Sequence, residues 1–173
     1  PASVGMLGEY CRSYRPKVSF GANEVNSYSL SASAPEWTAW LAVCQDAYTA
    51  IKAASPDTTV FVTFQLEHLK GLGVKTGFSQ PAQWSILADF AGSVDAMGFT
   101  TYPFFEYETP AEIPADYYTE IVNYWAGPVI FTEVGWLADP AIPYTGSLQE
   151  HVDYIDRFFD LTATLDLGYV TYF

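Results

Sequence analysis

The sequence predicts an α/β fold in which five parallel strands alternate with helices, as in part of a (β/α)8 barrel. Five short runs rich in β-branched and aromatic residues recur at intervals of roughly 30–40 residues, with helix-like segments between them. Alternation of this kind is typical of a parallel sheet with right-handed crossovers. The loops after the strands are long and those after the helices are short, which is typical of barrels with a site at the carboxyl ends of their strands.

Five strands would form only part of a complete barrel. A (β/α)8 barrel takes about 250 residues, whereas the chain has 173. We therefore expect residues 1–173 to be the carboxyl-terminal part of one catalytic barrel that lacks its first three βα units. Five strands leave two open sheet edges, and open edges favour association. We expect this segment expressed alone to be poorly soluble, self-associating or molten, and inactive.

The first half of the chain contains two predicted strands and one long helix. Residues 4–15 are predicted to end a helix, and Val18–Phe20 and Thr59–Gln65 are predicted strands, the second buried on both faces. Residues 27–34 and 66–80 are predicted loops. Ser33 is a suitable cap for the long helix and Pro35 suits its first turn. Its apolar residues recur at helical spacing: Trp37, Leu41, Cys44, Tyr48 and Ile51.

The second half contains three more predicted strands, at residues 96–102, at residues 128–133 and at residues 169–173. Loops are predicted at residues 104–113 and 137–146. Helices are predicted to begin at Pro81, at Pro114 and at Ser147. Their predicted inward faces are, in chain order, Trp84, Leu87 and Ala91; Tyr118, Ile121, Val122 and Trp125; and Leu148, Val152, Ile155 and Phe159.

The composition excludes several classes of partner. The chain carries 20 acidic and 7 basic residues, a formal net charge of −13, so no basic patch is available for nucleic acid or for an anionic membrane. Its two histidines, His68 and His151, are far apart in sequence and lack metal-ligand spacing. Cys44 lies on an apolar helical stripe, which favours a free thiol over a bridge to Cys11. We predict no cofactor and no metal site.

Two carboxylates are the strongest candidates for chemistry. Glu24 and Glu133 each follow a strand-like run, where a buried acid is costly unless it has a partner or a function. Period-two alternation places Val129, Phe131 and Glu133 on one face of their strand. The same alternation places Asn23 on the opposite face from Glu24, so a bulge would be needed for both to reach one site.

Three motifs resemble those of a known family. Residues 20–26 (FGANEVN) look like an acid/base strand, residues 132–136 (TEVGW) like a nucleophile strand, and residues 94–105 (VDAMGFTTYPFF) like the strand between them. Together they resemble the retaining glycoside hydrolases of clan A, and most closely the endo-β-1,4-galactanases and their relatives. The sequence departs from the galactanase pattern at Ala22, which stands between Gly21 and Asn23.

The resemblance implies a fold, a reaction and a set of roles. The chain would supply strands four to eight of a barrel that cleaves β-linked glycosidic bonds in a poly- or oligosaccharide, and we expect the protein to be secreted. Glu24 would be the acid/base and Glu133 the nucleophile of a double displacement. Asn23 would donate to the sugar 2-hydroxyl, and Tyr102 would hydrogen-bond Glu133.

Three further residues are candidates for substrate contact. Trp136 suits either sugar stacking or packing, and Gln65 and His68 suit either substrate contact or a capping or solvated role. Two alternatives to the hydrolase remain open at this point. One is a carbohydrate-binding barrel without catalysis. The other is a metal-dependent barrel hydrolase with Glu67 and His68 as ligands, which the small number of histidines disfavours.

Overall fold

One parallel sheet organises the molecule. The computed structural model describes residues 2–173, and its five strands lie in the order β1-β2-β3-β4-β5, each parallel to the next. The predicted α/β fold with five parallel strands is therefore confirmed, and the strand boundaries agree with the prediction to within two residues. The strands are β1 Val18–Phe20, β2 Thr59–Gln65, β3 Ala96–Thr101, β4 Val129–Val134 and β5 Leu167–Tyr172.

Helices connect the strands and cover one face of the sheet. The long helix α3 begins after Ser33, whose backbone N–H donates to Glu36 Oε2 at 2.9 Å, with Pro35 in its first turn. This is the helix start that the sequence predicted. The α-helices are α1 Ala2–Tyr14, α2 Val25–Ser29, α3 Ala34–Ala54, α4 Leu66–Leu69 and α5 Leu148–Thr162.

The main core lies between the sheet and the helices. Phe64, Phe99 and Phe131 are fully buried on neighbouring strands, with ring centroids 6.2 Å and 5.9 Å apart in strand order. The opposite, concave face of the sheet carries a smaller cluster of Phe61, Ala96 and Ile130. Parallel strands buried on both faces need such continuous apolar runs.

The crossovers at residues 81–91 and 114–125 differ from the α-helices predicted there. They contain the 3₁₀ helices Trp84–Phe90 and Thr119–Asn123. A 3₁₀ helix aligns side chains three residues apart, and Trp84, Leu87 and Phe90 are all buried at that spacing. Ala91 and Val122, which were predicted to face inward, are exposed instead.

Three predicted loops also contain short helices, and in residues 104–113 these are the 3₁₀ turns Pro103–Phe105 and Pro110–Glu112. Residues 27–34 were predicted to be irregular, but α2 extends to Ser29. The predicted loop at residues 66–80 begins with α4 and includes the 3₁₀ turn Val74–Thr76. The helix α4 follows β2 directly and α2 follows β1 after residues 21–24, so both fix side chains at the carboxyl ends of these strands.

The buried face of α5 is not the one that the sequence predicted. Leu148, Val152 and Phe159 are 70%, 46% and 53% exposed, whereas Tyr154, Phe158 and Leu161 are buried. Both sets have helical spacing, so α5 carries two apolar stripes. The Phe158 ring lies 5.1 Å from both Tyr118 and Phe131, and these contacts decide which stripe faces the sheet.

Both cysteines are free thiols, as predicted for Cys44. Cys11 is buried against Ile51 and Val60, and Cys44 is half-buried on α3. Burial raises the pKa of the Cys44 thiol to about 11. Within residues 2–173, every helix is too short or too polar to cross a bilayer.

Two neighbouring phenylalanines test which apolar stripe of α5 is buried. Phe158→Ala removes a ring that is 1% exposed and should lower the free energy of unfolding by about 3–5 kcal/mol. Phe159→Ala removes the same atoms from an exposed position and should cost less than about 1 kcal/mol. Urea denaturation measures both. Equal losses for the two variants would show that the helix is rotated from the position described here.

Candidate active site

Glu24 lies in a left-handed turn just beyond β1. The parallel ladder continues past the strand, since Gly21 N–H donates to Phe61 O at 2.9 Å and Thr63 N–H donates to Ala22 O at 3.0 Å. Glu24 then takes φ 47° and ψ 49° and caps α2. A residue with a side chain rarely adopts this conformation, at a cost of about 1–3 kcal/mol, and it is found most often at functional sites.

Two threonines on the concave face hold this turn. Thr63 Oγ1 donates to Asn23 Oδ1 at 2.6 Å and accepts from the Glu24 N–H at 3.0 Å. Thr100 Oγ1 donates to Glu24 Oε1 at 2.7 Å. The turn therefore directs both Asn23 and Glu24 towards neighbouring strands. The left-handed turn, and not the bulge expected from strict alternation, brings the two side chains to the same side of the sheet.

Room for this arrangement depends on Gly98, the residue of β3 beside Thr63. A Cβ atom at Gly98 would lie 2.6 Å from Thr63 Cγ2 and 2.8 Å from the Phe61 ring. Any larger residue would displace the threonine that bonds Asn23. A glycine at position 98 is thus needed for the site as well as for the sheet.

Glu133 reaches the concave side through a bulge in β4. Phe99 pairs with Phe131 but Thr100 pairs with Glu133, so Thr132 is an extra residue in the ladder. Val129 and Phe131 face the helices, and the predicted shared face of Val129, Phe131 and Glu133 is therefore wrong. The bulge reverses the alternation after Phe131.

Asn23 and Glu133 line one cavity at the carboxyl end of the sheet. The cavity has a volume of about 340 Å³, and Phe61, Thr132 and Tyr169 complete its lining. Glu24 approaches the same region, because Thr100 bonds its carboxylate and is the cross-strand neighbour of Glu133. Both acids are half-buried. Carboxylates that converge in a cleft are suited to acid–base chemistry.

Tyr102 joins the end of β3 to Glu133. Its hydroxyl donates to Glu133 Oε2 at 2.6 Å, a short bond typical of a charged acceptor. Burial raises the pKa of Tyr102, and the bond to Glu133 and the charges of Glu24 and Glu67 raise it further. The phenol thus keeps its proton and remains a donor.

Gln65 and His68 are engaged within the protein. Gln65 is 3% exposed and caps α4, with Oε1 accepting from the His68 N–H at 2.6 Å and Nε2 donating to Glu67 Oε2 at 2.5 Å. The His68 ring stacks on Phe78 with centroids 3.9 Å apart, and its buried Nε2 has no hydrogen-bond partner among the described residues. Burial lowers the pKa of His68, against the opposing charge of Glu24.

Trp136 is buried beside the site. It packs against Phe104 and Tyr154, with ring centroids 6.1 Å and 5.3 Å away. Its Nε1 is buried without a hydrogen-bond partner within the described chain. Trp136 also helps line an aromatic cavity of about 240 Å³, together with Tyr102, Phe104, Phe105, Gly135, Leu137 and Phe173. Two larger clefts, of about 640 and 570 Å³, lie on the outer surface away from both acids.

Sequence reasoning missed a third acid at this end of the sheet. Glu67 is fully buried, and its carboxylate accepts from Gln65, Thr101 and Tyr117. Burial raises its pKa, while the hydrogen bonds from Tyr117 and Thr101 lower it. Its position just after the buried strand β2 matches the pattern that identified Glu24 and Glu133. The sequence pattern suggested Glu67 only as a metal ligand. The described residues contain no cluster that could hold a metal ion.

Solved structures that share this architecture include glycoside hydrolases. The GH53 catalytic domain from Ignisphaera aggregans superposes with a TM-score of 0.61 at 16% identity, covering 98% of this chain and 53% of that domain. The fold is that of part of a (β/α)8 barrel. A GH10 xylanase from Thermobacillus composti gives a TM-score of 0.60 at 14% identity, covering 98% of this chain and 54% of the xylanase.

The chain thus spans about half the length of these two hydrolases. A β-glucuronidase from Bacteroides uniformis matches the whole chain with a TM-score of 0.62 at 13% identity, over 21% of its own length. No family model and no curated protein matches the chain. The resemblance to glycoside hydrolase barrels is confirmed for the fold, which is what likeness at such low identity establishes.

Replacement of Glu67 tests its buried environment. Because folding raises its pKa, its contribution to stability is complete below the unfolded pKa of about 4.3 and is lost as the pH rises through the folded pKa. Glu67→Gln removes this loss of stability at high pH, because glutamine does not ionise. We expect the free energy of unfolding of the variant, relative to the wild-type protein, to increase between about pH 4 and pH 8.

Urea denaturation at several pH values measures the difference. Asp46→Asn, at an exposed acid on α3, is the matched control for the loss of one carboxyl group. A constant or decreasing difference for Glu67→Gln would mean that the hydrogen bonds to Glu67 outweigh its desolvation.

Proposed function

We propose that this segment supplies the two catalytic carboxylates of a retaining glycoside hydrolase that cleaves β-linked bonds in a poly- or oligosaccharide. In this proposal the five strands correspond to strands four to eight of a complete (β/α)8 barrel. The observation that carries the proposal is the convergence of Glu24 and Glu133 around Thr100 at the carboxyl end of the sheet. In (β/α)8 enzymes the site lies at this end.

The two acids differ in their partners, which supports different roles. Glu133 accepts a short hydrogen bond from Tyr102, and such a donor stabilises the ionised form that a nucleophile needs. Glu24 accepts from the aliphatic hydroxyl of Thr100, which is a weaker hydrogen-bond donor than the phenol of Tyr102. We therefore assign Glu133 as the nucleophile and Glu24 as the acid/base.

The reaction would proceed in two displacements. Glu24 gives its proton to the glycosidic oxygen while Glu133 attacks the anomeric carbon, so the leaving group departs and a glycosyl ester forms on Glu133. Glu24, now ionised, takes a proton from water, which attacks the same carbon and releases Glu133. Two displacements restore the original anomeric configuration, and this mechanism requires carboxyl groups about 5–5.5 Å apart.

Asn23 would bind the sugar beside the reacting carbon. Its Oδ1 accepts from Thr63, so the amide nitrogen is the group that it can offer to a sugar hydroxyl. A hydrogen bond to the 2-hydroxyl strengthens in the transition state of retaining enzymes. The aromatic cavity beside Tyr102 would receive the apolar face of a neighbouring sugar.

Loss of the acid/base should be recoverable. In the protein that carries the complete barrel, Glu24→Ala should lower turnover of an unactivated substrate by about 10²–10⁴-fold. With an aryl glycoside the first step no longer needs an acid, and azide should restore turnover as a glycosyl azide of unchanged configuration. Glu133→Ala should be inactive under every condition.

Proton NMR of the first-formed sugar tests the stereochemistry. We expect the product to retain the configuration of the substrate, and a 2-fluoro glycoside to label Glu133. Asp46→Asn is a control, because it changes an acid far from the cavity. An inverted product, or a label on another residue, would contradict the assigned mechanism.

A further inference from the structure

Glu67 is a buried acid that the proposed mechanism does not use. Its side chain is fully buried, and none of the ion pairs seen within residues 2–173 includes it. Burying a carboxylate without a cation is costly. A carboxylate has about four acceptor sites, and here they receive donors from several segments of the chain. An apolar side chain of similar size at this position would avoid the free-energy cost of burying a carboxyl group.

One side of the Glu67 carboxylate holds the end of β3. Its Oε1 accepts from Thr101 Oγ1 and from Tyr117 Oη, each at 2.7 Å. The backbone of Tyr102, the next residue, helps to lower the pKa of the same carboxyl group. Tyr102 in turn donates its hydroxyl to Glu133 at 2.6 Å. Glu67 thus holds Thr101, the residue that precedes the hydrogen-bond donor to the candidate nucleophile.

The other side of the carboxylate reaches the turn that carries Glu24. Glu67 Oε2 accepts from Gln65 Nε2 at 2.5 Å. The backbone of Gln65 pairs with the buried Asn26 side chain, through Asn26 Nδ2 to Gln65 O at 3.0 Å and Gln65 N–H to Asn26 Oδ1 at 2.9 Å. Asn26 is two residues beyond Glu24, so a continuous set of hydrogen bonds connects the two candidate catalytic segments.

We propose that Glu67 is a positioning residue that holds Tyr102 in place to donate to Glu133 and ties β3 to the turn bearing Asn23 and Glu24. Its catalytic consequence rests on the proposed glycosidase function, whereas its structural consequence does not. Glu133 shares its cavity with Asn23, Phe61, Thr132 and Tyr169. The Tyr102 ring packs against Phe104, Phe105 and Phe173, and Glu67 holds the chain segment from which that ring extends.

Two substitutions of Glu67 separate the effect of its hydrogen bonds from the effect of its side-chain volume. Glu67→Ala deletes the acceptor and should lower kcat of the complete barrel about 10–100-fold, as loss of a supporting partner does at other sites. KM should stay nearly constant, because Glu67 does not reach the cavity. Glu67→Gln keeps an acceptor oxygen for Gln65, and its amide can donate to the hydroxyls of Thr101 and Tyr117. It should return kcat to within about threefold of the wild-type value.

A matched control removes one buried hydroxyl from the neighbouring network. Tyr154 is fully buried and bonds Tyr118 at 2.8 Å, and Tyr118 lies 3.5 Å from Thr101, so Tyr154 is linked to Glu67 only through two intervening hydroxyls. Tyr154→Phe should lower stability and leave kcat unchanged. An equal loss of kcat in Tyr154→Phe and Glu67→Ala would show a general effect of destabilisation and would overturn the proposal.

A second measurement does not depend on turnover. The short Tyr102–Glu133 bond should give a downfield hydroxyl proton in NMR spectra, assigned by its absence in Tyr102→Phe. We expect the signal to persist in Glu67→Gln and Tyr154→Phe and to disappear in Glu67→Ala. An unchanged signal in Glu67→Ala would overturn the positioning role. A complete protein that cleaves no glycoside would instead refute the proposed function, while this signal would still decide the role of Glu67.

Discussion

The extra residue at Thr132 is the constraint on which the candidate site depends. Before it, the side chains of β4 alternate so that Phe131 faces the helices and Ile130 faces the concave side. The bulge shifts the register so that Glu133 lies opposite Thr100. Without that shift, Glu133 would point into the aromatic core, where an ionised acid is strongly disfavoured. The bulge in β4 thus determines which face of the sheet the Glu133 side chain occupies.

The site is also held by groups that have no part in the proposed chemistry. Thr63 and Thr100 fix the strained turn at Glu24, and the absence of a side chain at Gly98 leaves room for Thr63. The cost of the left-handed conformation is offset by these bonds and by the burial of Val25 in the adjoining core. Rigid support of this kind is what keeps reactive groups within the narrow range of productive geometry.

Much of the fold was predictable because its central strands β2 and β3 are buried on both faces. Runs such as Thr59–Gln65 leave few alternatives to a central parallel strand, and their spacing predicted the sheet order. The helices were less predictable. The segment Thr119–Asn123 forms a 3₁₀ helix, and α5 has two apolar stripes with the same period. Periodicity identifies a stripe, but the neighbouring Tyr118 and Phe131 rings determine which one is buried.

The sequence by itself determined the parallel α/β architecture and, to within two residues, the ends of the strands. These features depend on local composition, which is the same whatever the chain contacts. The tertiary structure alone decided the bulge at Thr132, the left-handed turn at Glu24 and the burial of Glu67. Each of these depends on hydrogen bonds between segments more than 30 residues apart. Such bonds leave no periodic trace in the sequence, because their partners are brought together only when the sheet forms.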